Sequence, residues 1–301
     1  MWHLGPVIHV FALLLPIWQS RPITSQDIYP GPYPPTATAE TIALQAEGMG
    51  HAGPVLRTMI VQNLGLTNSP VATRALLTQL NREPDADVKT TILLQLATAL
   101  PLDDLALAGQ LASLLEHEKP SLRAAACTVL AKAPDCPVAA ILRRAVEDPA
   151  PDVRLAALRA LVPHGAQLDF HSLGPLRAFE DPFLRQAGWT VSVHARGALS
   201  TPQVGPALQD PAPSVRAVLA RELRLLPPAT RKAVAAALLA DPHPTVRAEL
   251  AVGMGSLEPG ENEAGLIALA RDPDPEVRRL AAQQLRTTAE PDAAKQLVTM
   301  L

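Results

Sequence analysis

Residues Asp210–Leu226 read DPAPSVRAVLARELRLL: two prolines in an acidic turn, a Val-Arg pair, then a run with one apolar face. The residue before a proline is pushed out of the α region, so Asp210 ends the helix that precedes it. Pro213 suits the first position of the next helix, where no N–H is needed. Leu219, Ala220 and Leu223 stand at +3, +4 and +7 from Arg216, which is one helical face. The same pattern returns as DPAPDVRLAALRAL from Asp148, DPHPTVRAELAVGM from Asp241 and DPDPEVRRLAAQQL from Asp272. The second proline is followed by Asp152, Ser214, Thr245 or Glu276, and acids and hydroxyls are favoured at the positive end of a helix.

The basic residue of the pair marks the period. It falls at Arg123, Arg154, Arg185, Arg216, Arg247 and Arg278, each 31 residues after the last. Lys89 precedes Arg123 by 34 residues and Arg57 precedes Lys89 by 32, which makes eight markers. Between markers lies a second apolar helix, such as RKAVAAALLA from Arg231 to Ala240. Each unit is therefore a helix, a short turn and a helix. A fixed period of this length belongs to stacked repeats, whose neighbours bury one continuous core. Eight pairs stacked at about 8–10 Å per helix layer extend roughly 70–80 Å.

DPxPxVRxxAxxxL on this period resembles the short HEAT repeats, the type also seen in phycobilisome-lyase-like proteins. The resemblance spans residues 38–301. It implies an all-α, right-handed α-solenoid (a HEAT/armadillo-like superhelix) of about eight helix-turn-helix repeats. The resemblance alone does not fix a function; because repeat arrays of this kind are mostly surfaces for partners, the expectation is a non-enzymatic scaffold or adaptor that binds a protein or an extended peptide segment, as a monomer. In similar arrays the second helices line the binding side, and the arginines join adjacent repeats in a hydrogen-bonded ladder. The alternative is an enzyme of this repeat class, a phycobilin lyase or a di-iron oxidoreductase like deoxyhypusine hydroxylase. Such hydroxylases carry His-Glu pairs in several repeats, whereas His117-Glu118 is the only such pair here.

The N-terminus departs from the repeat. Val7–Trp18 is an apolar run too short to span a bilayer, which takes roughly 20 residues. It suits a cleaved export signal over residues 1–25, although MWHL offers no basic residue. The expected location is periplasmic or secreted, with the cytoplasm as the alternative. A membrane partner follows only if this segment stays uncut. Residues 26–37 are proline-rich and read as an extended linker. The solenoid follows from 38 to 301, with 289–301 expected as a terminal helix covering the last repeat.

Composition narrows the function. The chain is 48% hydrophobic but only 3% aromatic, so Ala, Leu and Val build the core. A net charge of -3 argues against a general nucleic-acid binder. Basic residues still gather locally, at Arg216, Arg221, Arg224, Arg231 and Lys232, and again at Arg278, Arg279 and Arg286. Cys127 takes a core position; a pairing with Cys136 is chemically allowed if the chain is exported.

No catalytic spacing, phosphate loop or metal motif stands out, and no cofactor is expected. His164, His171 and His194 lie in one region with Asp169 and Glu180, but without paired spacing. The column Arg123, Arg154, Arg216, Arg247 and Arg278 reads as structural, with Asp148, Asp210, Asp241 and Asp272, each six residues before an arginine, as its partners. The repeat at Arg185 is irregular. Its turn looks two residues short, since Asp181 stands four before the marker, and Phe170, Phe179, Phe183 and Trp189 collect around it. Trp189 beside Gly188 suggests a core repacked at a bend, or a partner pocket. The exposed flank of the second helices supplies the candidate partner residues Arg159, Gln186, Thr190, Val193, Arg221, Arg224 and Arg286. An acidic segment would suit that face.

Overall fold

The structure is a computed structural model that describes residues 39–67, 69–98, 105–132, 138–195, 199–258 and 260–288. The export-signal, linker, Cys136 and terminal-helix readings lie outside the described residues. Fifteen α-helices and three 3₁₀ segments are present among the described residues, and no strand. None of these helices is long and apolar enough to cross a membrane.

The helices form two rows. The first row contains α1 (Ala39–Met49), α3 (Pro70–Arg82), α5 (Leu105–Leu114) and α7 (Val138–Ala145), then α10 (Thr201–Leu208), α12 (Pro228–Leu239) and α14 (Glu263–Leu269). The second row contains α2 (Pro54–Leu66), α4 (Ala86–Thr98), α6 (Pro120–Leu130), α8 (Pro151–Leu161), α9 (Pro182–His194), α11 (Pro213–Arg221), α13 (Pro244–Gly255) and α15 (Pro275–Thr288). Second-row helices pack successively: α2 on α4, α4 on α6, α6 on α8, α8 on α9, α9 on α11, α11 on α13, α13 on α15. This is an all-α solenoid, and the eight second-row helices carry the eight markers.

Local chemistry sets the boundaries as the sequence suggested. Pro151, Pro213 and Pro244 each open a helix, behind an extended residue at Ala150, Ala212 and His243. The +3, +4 and +7 positions are the core: Leu219, Ala220 and Leu223 are fully buried, as are Ile92, Leu93 and Leu96.

The fifth repeat differs. Its first helix is replaced by two 3₁₀ segments, Val162–Gln167 and His171–Arg177, both packed against α9. Gly188 on α9 allows this: a Cβ there would lie 1.9 Å from the Leu176 carbonyl oxygen. The glycine therefore serves a backbone approach, more than it makes room for the neighbouring tryptophan. The core divides at this repeat into two clusters, one reaching from Ile42 to Val191 and one from Phe170 to Leu285. Trp189 and Phe170 are buried in the second cluster. The guanidinium of Arg177 stacks 3.8 Å from the Phe170 ring centre and 5.3 Å from that of Trp189.

Candidate functional site: the repeat ladder and a second-row cleft

The arginine column forms a ladder, with a different pairing from the one the sequence suggested. Arg123 Nε and Nη2 donate to both carboxylate oxygens of Asp148, at 2.7 and 2.8 Å. Asp148 is 25 residues ahead, in the turn of the next repeat. Arg185 grips Asp210, Arg216 grips Asp241 and Arg247 grips Asp272 in the same two-pronged way, with Nε bonds of 2.7, 2.7 and 2.6 Å. Arg57 does the same with Glu83. The residue six positions earlier contributes its backbone carbonyl instead of its carboxylate. Arg154 Nη1 donates to Asp148 O, Arg216 Nη1 to Asp210 O, Arg247 Nη1 to Asp241 O and Arg278 Nη1 to Asp272 O. Sequence spacing alone could not separate these two partners, because each acid is near one arginine in sequence and near another in space.

Each aspartate also accepts the backbone N–H two residues on, at Ala150, Ala212, His243 and Asp274, which fixes the turn. The arginine bond is the strongest influence holding the Asp148 and Asp272 carboxyls below the usual carboxylate range. For Asp210 and Asp241 burial pulls upward most strongly, and the arginine and backbone bonds together outweigh it, so these carboxyls also lie low.

The repeat at Arg185 keeps this geometry. Arg185 Nη1 donates to the carbonyls of Phe179 and Glu180, at −6 and −5 like its counterparts. The turn is therefore of normal length. Asp181, which suggested a shortening, instead caps α9 by accepting from the N–H groups of Phe183 and Leu184.

On the second row, Arg159, Gln186, Thr190 and Arg221 line one cleft of about 270 Å³ with Leu155 and Phe183. Phe183 is 68% exposed, which is unusual for an aromatic in a chain so poor in them. Sequence reasoning names it among the aromatics of a possible partner pocket but not among the residues of the exposed flank. The sequence leaves its aromatic group open between a repacked core and a partner pocket, and the place of Phe183 at the second position of α9 is the clue that separates it from the buried Phe170 and Trp189. Arg221 pairs with Glu249 at 2.8 Å across to α13. Arg159 has no acidic partner among the described residues. Val193 is 5% exposed and belongs to the core, because the turn of α9 that carries it faces the second cluster. Arg224 and Arg286 are exposed but lie away from this cleft.

The basic stretch toward the C-terminus is largely neutralised. Arg231 pairs with Glu261 and Arg279 with Glu276. The histidines are dispersed: His164 Nε2 lies 3.4 Å from the Leu130 carbonyl, His171 meets the Phe170 ring edge-on, and His194 lies beside Glu222. His117 and Glu118 supply the carbonyls that Arg123 Nη1 grips. No group of three or more His, Cys, Asp or Glu among the described residues is arranged to hold a metal ion. Cys127 is fully buried, and burial pushes its thiol up to about 12.

The HEAT-repeat family matches the chain over residues 108–187 and 232–301. This chain is a HEAT-repeat protein. No curated protein matches it. Among solved structures, the human deoxyhypusine hydroxylase in complex with glycerol is similar at 20% identity, over 82% of this HEAT-repeat chain and 96% of that one, with a TM-score of 0.35. An engineered protein is similar at 15% identity, over 71% of this chain and 95% of that one, also at 0.35. Likeness of that size carries no argument about activity.

Proposed function

We propose that this HEAT-repeat protein is a non-enzymatic scaffold that holds an acidic, extended protein segment on its second-row face. The observation that carries the reading is the cleft around Phe183. An exposed aromatic stands beside Arg159, which has no acidic partner among the described residues, and a half-exposed Arg221, with Gln186 and Thr190 as polar contacts. Aromatic and arginine side chains together make strong interface anchors, and the surrounding positive charge selects for an acidic partner. The apolar run Val7–Trp18 supports an exported protein acting outside the cytoplasm.

The test is site-directed photocrosslinking in the native host. A benzophenone residue at Phe183 is expected to capture a defined protein, and one at Ala236 on the exposed side of α12 is not. Arg159→Glu should reduce that capture several-fold while leaving helicity unchanged. Equal capture from both positions, or capture indifferent to Arg159→Glu, would place the working surface elsewhere.

A further inference from the structure

The ladder has a broken rung at Arg154. Twenty-five residues on from it stands Phe179, where the other 31-residue repeats place an aspartate. The backbone is positioned as at the intact rungs, since the Phe179 carbonyl accepts from Arg185 Nη1 at 2.8 Å just as Asp210 O accepts from Arg216 Nη1 at 2.8 Å. Only the carboxylate is missing. Arg154 is held by its Nη1 bonds to the carbonyls of Asp148 and Pro149, at 2.9 and 3.0 Å. Its Nε is buried with no hydrogen-bond partner among the described residues. A guanidinium N–H withdrawn from water and unpaired is costly, and natural proteins seldom leave one so. Beside it opens a cleft of about 640 Å³ that both Arg154 and Phe179 line.

We propose that this cleft binds an organic monocarboxylate, whose two oxygens take the Nε and Nη2 positions that the next repeat's aspartate occupies elsewhere in the ladder. The surroundings restrict the charge. Glu147, Glu180 and Asp181 stand exposed at the cleft against Arg143 and Arg154, so only an anion that pairs directly with the Arg154 fork is held there, and a phosphate dianion or polyanion is repelled more strongly than a single carboxylate. Val146, Leu176 and Leu184 give the carboxylate's carrier an apolar bed. Nε is withdrawn from the surface, so binding requires a side chain of the wall to change rotamer, and the half-buried Phe179 stands at the sequence position of the missing aspartate. The site is separate from the Phe183 cleft and does not depend on the scaffold reading.

The test follows the Nε–Hε resonance of Arg154 by nitrogen-edited NMR of the whole chain, assigned by its loss in Arg154→Lys. One probe is a blocked hexapeptide copying Leu208–Pro213, whose aspartate fills the intact rung of Arg185. The other is hexanoate. A saturable downfield shift with the peptide, at lower concentration than with hexanoate, identifies an acidic side chain of a protein segment as the source. The reverse order identifies a free acid. Phe179→Asp should move the resonance to the position of the other ladder arginines without any probe and abolish the titration. Should that variant not fold, Arg154→Lys, which keeps the charge and loses the fork, is expected to weaken the peptide's binding, followed then by fluorescence anisotropy. The proposal is overturned if neither probe gives a saturable shift, if inorganic phosphate gives the same one, or if the peptide with asparagine for aspartate works equally well.

Discussion

At the residue scale the protein is an arrangement of forked bonds. Each ladder aspartate holds its own turn and the arginine of the preceding repeat, so removing one carboxylate loosens two things at once. In Asp241→Ala, Arg216 Nε and Nη2 lose their partner inside a nearly dry contact, where the two side chains are 12% and 4% exposed. The expected loss is about 3 kcal/mol by chemical denaturation, in line with the removal of one partner from a buried pair. Asp241→Asn should cost less, since an amide oxygen can still accept the His243 N–H. The same carboxylates make the protein acid-labile. Their folded-state pKa values lie below those of the unfolded chain, so the stabilisation is complete above the ordinary carboxylate range of about pH 4. It is lost as the pH falls through the depressed values of Glu83, Asp148, Asp210, Asp241 and Asp272. Melting temperature against pH should therefore drop steeply on the acid side, and Asp241→Asn should flatten that drop.

At the element scale, much of the fold is legible in the sequence because helix boundaries are local chemistry. A proline at the first helical position and an apolar +3, +4, +7 face act within one turn. They need no knowledge of what packs outside. What packs outside is where the reading fails. Val162–Arg177 has the length of a first-row helix, but Pro163, Gly165, Gly174 and Pro175 break it into two 3₁₀ segments that sit close on α9. The Arg–Asp pairing is hidden for the same reason, since each arginine has one acid near it in sequence and another brought near by stacking, and only stacking decides between them. Val193 falls in the core and Phe183 on the surface because a helical face is defined by neighbours, and α9 meets 3₁₀ segments instead of a helix. Glycine shows how tight the stacking is. A Cβ on Gly253 of α13 would lie 1.9 Å from the Ala220 carbonyl oxygen of α11. Gly253→Ala must push two second-row helices apart and should cost about 2 kcal/mol. Gly109→Ala, with nothing within 4 Å of the new methyl, should instead stabilise by about 0.5–1 kcal/mol through helix propensity. Equal effects from the two in urea titrations would contradict the packing described for α11 and α13.

At the scale of the whole molecule, stability is passed from neighbour to neighbour. Every second-row helix packs on the one before and the one after, and each rung joins adjacent repeats only. Such a chain has no central core to lose, so damage at one end is felt in proportion to the couplings that intervene. The weakest coupling should be the fifth repeat, where the core divides into two clusters and the rung from Arg154 is absent. Hydrogen exchange can locate it. In Asp272→Ala, which cuts the rung from Arg247, amides in α13 and α15 should lose protection most, those in α11 less, and those in α2, α4 and α6 not at all. Arg123→Gln cuts a rung on the other side and should give the mirror image, loosening α6 and α8 while α13 keeps its protection. If either variant lowers protection evenly from α2 to α15, the molecule unfolds as one cooperative unit and the fifth repeat transmits strain as well as any other. A boundary in protection between α8 and α11 would instead make that repeat a joint, with the Phe183 cleft and the unfilled rung of Arg154 both sited where the two halves of the solenoid meet.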